Sequence, residues 1–140
     1  MTAQNIVLSV RGAHIEDEQE QATEFMTEGR LLRSGSECII EYQETELLGA
    51  EDTTMRVTLS GKELRLTRTG AVESEFCFRE RQIYEAAYET PFGLLQLSIL
   101  PTQVESRLEP DEGHIGLAYV IRMGSDSAFN RLNIHYQLRS

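Results

Sequence analysis

Apolar and polar residues alternate along most of the chain, with the period of two that marks a strand having one dry and one wet face. In "NIVLSVRG", Ile6, Leu8 and Val10 share one parity, and Ser9 and Arg11 the other. "SECIIEYQETEL" sets Cys38, Ile40 and Tyr42 in phase. "TMRVTL" repeats the pattern with Met55, Val57 and Leu59, "ELRLTR" with Leu64 and Leu66, and "VESEFCF" with Val72, Phe76 and Phe78. "TEFMTEGRLL", "QIYEAAYE", "GLLQLSIL" and "TQVESRLE" read as further strand segments. "IGLAYVIR" and "FNRLNIHYQLR" close the chain, with Ile115, Leu117, Tyr119 and Ile121, then Leu132, Ile134, Tyr136 and Leu138, in phase.

Turn signals separate these segments: "RSGS", "SGK", "TGA", "PDEGH" and "GSDS". The stretch "AHIEDEQEQA" is the most acidic of the chain and has little apolar content. It is expected to be a solvated loop or short crossing helix. As a calcium loop it lacks the alternating ligands and the central glycine. About ten or eleven short strands with no long helical pattern point to an all-β sandwich or barrel. Alternation implies antiparallel sheet. So long a meander exposes its edges unless it closes. A single closed or nearly closed antiparallel barrel over residues 1–140 is therefore expected, with a β-sandwich as the other possibility.

Composition narrows the function. The chain has 13 basic and 23 acidic residues, a net charge of -10. Arginines supply all the basic groups except Lys62, and they are dispersed. Nucleic acid and anionic membranes are not expected partners. "MTAQNIVLSV" lacks the basic start and long apolar region of a secretory signal, so the cytoplasm is the expected location. No segment is long enough for a spanning helix. Cys38 and Cys77 are expected to be free buried thiols, because a disulfide would require neighbouring strands.

No motif announces catalysis. His14, His114 and His135 fall in two expected turns and one strand and show no metal-ligand spacing. GxSxG, P-loop and dinucleotide fingerprints are absent from the sequence. Neither an enzyme nor a cofactor is expected.

The polar residues that stand out do so by parity. Arg68 continues the phase of Leu64 and Leu66, so it is expected to point inward. Glu44 and Glu46 continue the phase of Ile40 and Tyr42. An inward arginine requires a carboxylate, a tyrosine hydroxyl or a ligand anion. Glu44, Glu46, Tyr84, Tyr88 and Tyr119 are the candidates. In "YETPFG", Pro91 suits the second position of a turn and Gly93 a left-handed or bulged one. Geometry leaves Tyr88 and Phe92 unexplained. Tyr88 shares the phase of Tyr84 and would face the barrel mouth, with Phe92 as a cap or lid. Apart from ordinary exposure, which one bulge reversing the parity would bring, two readings of this group stand side by side. One is a structural ion pair with a tyrosine network plugging a solid barrel, a structural or protein-interaction domain. The other is a non-enzymatic pocket for a small anionic or amphipathic ligand. Monomer and homodimer are both open.

The succession "VRG", "TEG" at 27 to 29, "YQETELLG" at 42 to 49, "LTRTGAV" at 66 to 72 and "YETPFG" at 88 to 93 resembles the bacterial DUF1934 family of YwiB-like proteins. The resemblance covers most of the chain and implies a calycin-like β-barrel. It implies no activity and brings no functional residues.

Overall fold

A strand with apolar residues on one face needs partners for its backbone on both edges and a core for that face. The structure, a computed structural model, describes residues 2–43, 53–70, 73–90 and 93–139, with the backbone alone for residues 2 and 88–90. The described residues form ten strands: β1 (Thr2–Glu16), β2 (Gln19–Ser34), β3 (Glu37–Gln43), β4 (Thr53–Ser60), β5 (Glu63–Gly70), β6 (Ser74–Arg79), β7 (Tyr84–Thr90), β8 (Gly93–Leu108), β9 (Glu112–Met123) and β10 (Asp126–Leu138). All lie in one antiparallel sheet in the order β6-β5-β4-β3-β2-β1-β10-β9-β8-β7.

The ladder between β1 and β10 joins the first strand to the last and curls the meander into a nearly closed barrel. The remaining seam lies between β6 and β7. Among the described residues no ladder joins these two; an isolated bridge, Arg79 to Gln82, ties the end of β6 to the connection that leads to β7. The connection between them fastens the seam to β8 instead. The Arg81 amide donates to the Pro101 carbonyl at 2.8 Å, and the Val104 amide donates to the Glu80 carboxylate at 3.4 Å. A carboxylate on an edge amide keeps other strands from pairing there.

Two segments differ from the pattern-based expectation. Residues 13–22 form neither a loop nor a helix: β1 runs on to Glu16 and β2 begins at Gln19. Asp17 and Glu18 turn the chain between them, both at positive φ (50° and 64°), as a tight two-residue hairpin requires. His14 and His114 accordingly lie in strands rather than turns. "GLLQLSIL" and "TQVESRLE" are one strand, β8, bent at a bulge between Pro101 and Gln103. The bulge moves the inward phase from Leu97 and Ile99 to Val104 and Leu108. Gly93 has a φ of 114°, the conformation expected for it.

Elsewhere parity holds. Ile6, Leu8, Ile40, Val57, Leu64, Phe78, Ile99, Ile134 and Tyr136 are fully buried in one cluster. Burial of such a side chain contributes about 1.5–3 kcal/mol. Cys38 is buried and Cys77 half-buried, and both are free. They sit on β3 and β6, with β4 and β5 between them. Among the described residues no helix is long and apolar enough to cross a membrane.

Antiparallel order sorts the connections to two ends. The mouth carries the β1–β2 and β9–β10 turns. The base carries the β2–β3 and β4–β5 turns and the strand ends nearest the chain termini.

Candidate functional site

Barrel interiors of this size are filled by inward side chains unless some positions are too small or too polar to pack. At the base and waist the inward side chains, Leu8, Ile40, Val57, Leu64 and Ile134 among them, are fully buried. Towards the mouth the inward apolar residues give way to polar ones, and a cavity of about 260 Å³ opens there. Val10, Phe25, Met55, Leu66, Phe76 and Leu132 form its apolar wall. Arg68, Tyr42, Tyr119, His14 and Asn130 are among its polar groups, with Gln21, Thr23 and Arg131 beside them.

Each polar group arrives by strand parity. Arg68 on β5 stands beyond Leu64 and Leu66 and pairs across from Met55, which is 2% exposed. Tyr119 on β9 follows Ile115 and Leu117 and stacks at a tilt on Phe78, ring centres 5.0 Å apart. Burial pushes the Tyr119 hydroxyl above its usual pKa, and the nearby Arg68 charge pulls it partway back. Tyr42 on β3 packs against Phe25, with centroids 6.2 Å apart. His14 on β1 places Nδ1 2.7 Å from Asn130 Oδ1 and Nε2 3.2 Å from the Glu16 carboxylate. These bonds, Asn130 first, raise the His14 pKa against the opposing effect of burial.

Of the residues singled out by sequence, the cavity brings together Arg68 and Tyr119. Tyr84 is half-buried against the core and is not among the residues lining the cavity. Tyr88 has its backbone in β7 opposite Leu95. Its side chain, and Phe92, Glu44 and Glu46, lie outside the described residues, as does Val72. His14, Asn130 and Tyr42 were missed as site residues, although parity marks all three. His14 continues Ile6, Leu8 and Val10; Asn130 precedes Leu132, Ile134 and Tyr136; Tyr42 shares the phase of Ile40.

A larger groove of about 1110 Å³ lies at the base between the β4–β5 turn and β8. Its charges are of both signs: Lys62, Arg79 and Arg107 against Glu63, Glu80 and Glu105. Glu63 is already engaged there, with Arg65 and Arg79 each 2.8 Å away. The mouth sets a continuous apolar wall beside its polar groups, as ligand sites do. The base groove does not. Among the described residues no group of three or more His, Cys, Asp or Glu side chains could hold a metal ion.

Ladder order and inward polar ring define a nearly closed antiparallel β-barrel with a polar mouth. Comparison with known proteins gives this class a family. A model of DUF1934, a domain of unknown function, matches residues 8–139, and the chain belongs to that family. The chain is 27% identical over 133 residues to the "Uncharacterized beta-barrel protein YwiB" of Bacillus subtilis (strain 168), covering 94% of this chain and 92% of the relative. The crystal structure of the ywiB protein from Bacillus subtilis matches with a TM-score of 0.85 at 25% identity, over 99% of this chain and 94% of that one.

Proposed function

We propose that the chain is a non-enzymatic binding protein whose barrel mouth takes a small anion with an apolar body. The observation that carries this reading is the cavity of about 260 Å³ lined by Arg68 together with the apolar side chains of Leu66, Phe76 and Leu132. A guanidinium offers fixed, planar donors to a carboxylate or phosphate. The apolar wall favours a ligand that has more than its charge to bury. The volume of about 260 Å³ falls below the usual lower limit for ligand pockets, roughly 300 Å³, so the ligand is smaller than a typical drug. In a chain of net charge -10, bulk attraction does not draw anions in, and local geometry must select them. Two free thiols suit a reducing compartment, which supports a cytoplasmic location.

The test is native mass spectrometry of protein purified gently from its host. A retained small anion that is lost in Arg68→Ala supports the reading. Retention unchanged by that substitution would reject the role of Arg68.

A second reading treats the barrel as a solid interaction module. Its support is the filled interior below the mouth, where Tyr136, Phe78, Ile134 and Leu64 are fully buried. A stable protein partner and no small molecule in the same spectra would favour it.

A further inference from the structure

Three inward side chains stand in a row across the mouth: His14, Asn130 and Tyr119, on β1, β10 and β9. Asn130 pairs directly across from both of the others. Its Oδ1 lies 2.7 Å from His14 Nδ1. A carbonyl oxygen only accepts, so with the amide in this orientation Nδ1 carries the hydrogen of that bond. His14 Nε2 faces Glu16 at 3.2 Å, a second acceptor. The ring is therefore surrounded as an imidazolium would be. The other half of the Asn130 amide, Nδ2, is buried and has no hydrogen-bond partner among the described residues. Native structures rarely leave a buried donor in that condition without a reason. Asn130 borders the cavity, as does Arg68.

We infer that Asn130 is the second anchor of the bound oxyanion, donating from Nδ2, and that His14 holds the amide in this donor orientation. The inference rests on reading the mouth as an anion site and says what selects the anion there.

A proton linkage follows from the bonding. With His14 protonated, both ring nitrogens donate, so Asn130 must turn Oδ1 to the ring and leave Nδ2 for the ligand. With the hydrogen only on Nε2, facing Glu16, Nδ1 becomes an acceptor. The amide then turns Nδ2 to the ring and presents Oδ1 to the ligand, which repels an oxyanion. The groups around His14 leave it as the switch. Glu16 is on its own strand. On β2 the opposite residue is the uncharged Gln21, with Glu20 next to it across from Ile15. On β10 Asn130 is followed by Arg131, and Arg68 and Tyr119 face it from the rest of the cavity lining. The His14 pKa lies above 6.5, and that of Tyr119 above 10. Anion affinity therefore falls as pH rises through the His14 titration.

The experiment is an NMR titration of the intact protein with benzoate at pH 6 and pH 8. The expected result is a shift of the Asn130 side-chain amide signals, affinity at least about fivefold weaker at pH 8, and a His14 pKa raised by benzoate, as linkage requires. Asn130→Asp weakens benzoate at least tenfold, and His14→Gln flattens the pH dependence. Binding that depends on Arg68 but is equal at both pH values, with unmoved Asn130 signals, overturns this inference and leaves the anion site standing. No benzoate binding at either pH overturns the anion site and this inference with it.

Discussion

Tyr136 sits over Gly113, its direct partner across the β9–β10 ladder. A methyl group at Gly113 would lie 2.6 Å from both Cζ and Oη of the tyrosine. Tyr136 heads the fully buried side chains by volume. The missing side chain of Gly113 is thus the space in which the ring is seated. Gly113→Ala is expected to cost about 1–3 kcal/mol in urea unfolding, the usual effect of overpacking. Gly61 offers the contrast. Nothing lies within 4 Å of a methyl group there, but its φ is +62°. Gly61→Ala is expected to cost about 1 kcal/mol, through the backbone alone. Equal stability of Gly113→Ala and the parent would contradict the packing described for the base.

The outer face of β5 carries a pH-dependent element. The thiol of Cys77, then Arg79 and Arg65, hold the Glu63 carboxyl down at about 2, from an ordinary 4.5. A lowered acid contributes stability above its unfolded pKa and loses it as pH falls through the folded one. The advantage of the parent over Glu63→Gln is expected to be full at pH 6. It should decline below about 4.5 and vanish near 2. Denaturant unfolding of both proteins from pH 6 to pH 2 measures this; a constant difference would contradict it.

The seam between β6 and β7 depends on Glu80 as a cap for the Val104 amide. Glu80→Ala is expected to speed hydrogen exchange at Val104 while changing global stability by less than about 1 kcal/mol, because the bond is exposed. Unaltered exchange at that amide would show that the carboxylate does not protect the edge.

The barrel was legible wherever inward positions are apolar. Ile6, Leu8 and Val10, or Met55, Val57 and Leu59, announce both strand and face. The pattern fades where the inward residues turn polar, and that is the mouth. After Val10 the inward positions of β1 are Gly12 and His14, so the strand reads as ending early and the hairpin to β2 as a loop. The chemistry that makes the cavity also hides the strand that lines it. Arg68 escaped this because Leu64 and Leu66 fix its phase immediately before it. Asn130 had the same support from Leu132 and Ile134, but an asparagine near a turn draws no attention until its buried amide is seen unpaired. The pairing of β1 with β10 leaves no local trace, since it joins residues more than a hundred positions apart.

The central claim is that the mouth, with Arg68, binds small anions with an apolar body. The most direct measurement is the benzoate affinity of the parent and of Arg68→Gln at pH 6, with benzamide as the uncharged control and both proteins shown folded by NMR. The account predicts benzoate-induced shifts confined to residues around the cavity, such as Leu66, Phe76 and Leu132, weak or no binding of benzamide, and at least tenfold weaker benzoate binding by Arg68→Gln. Shifts spread over the outer surface, or equal affinity of the two proteins, would contradict it.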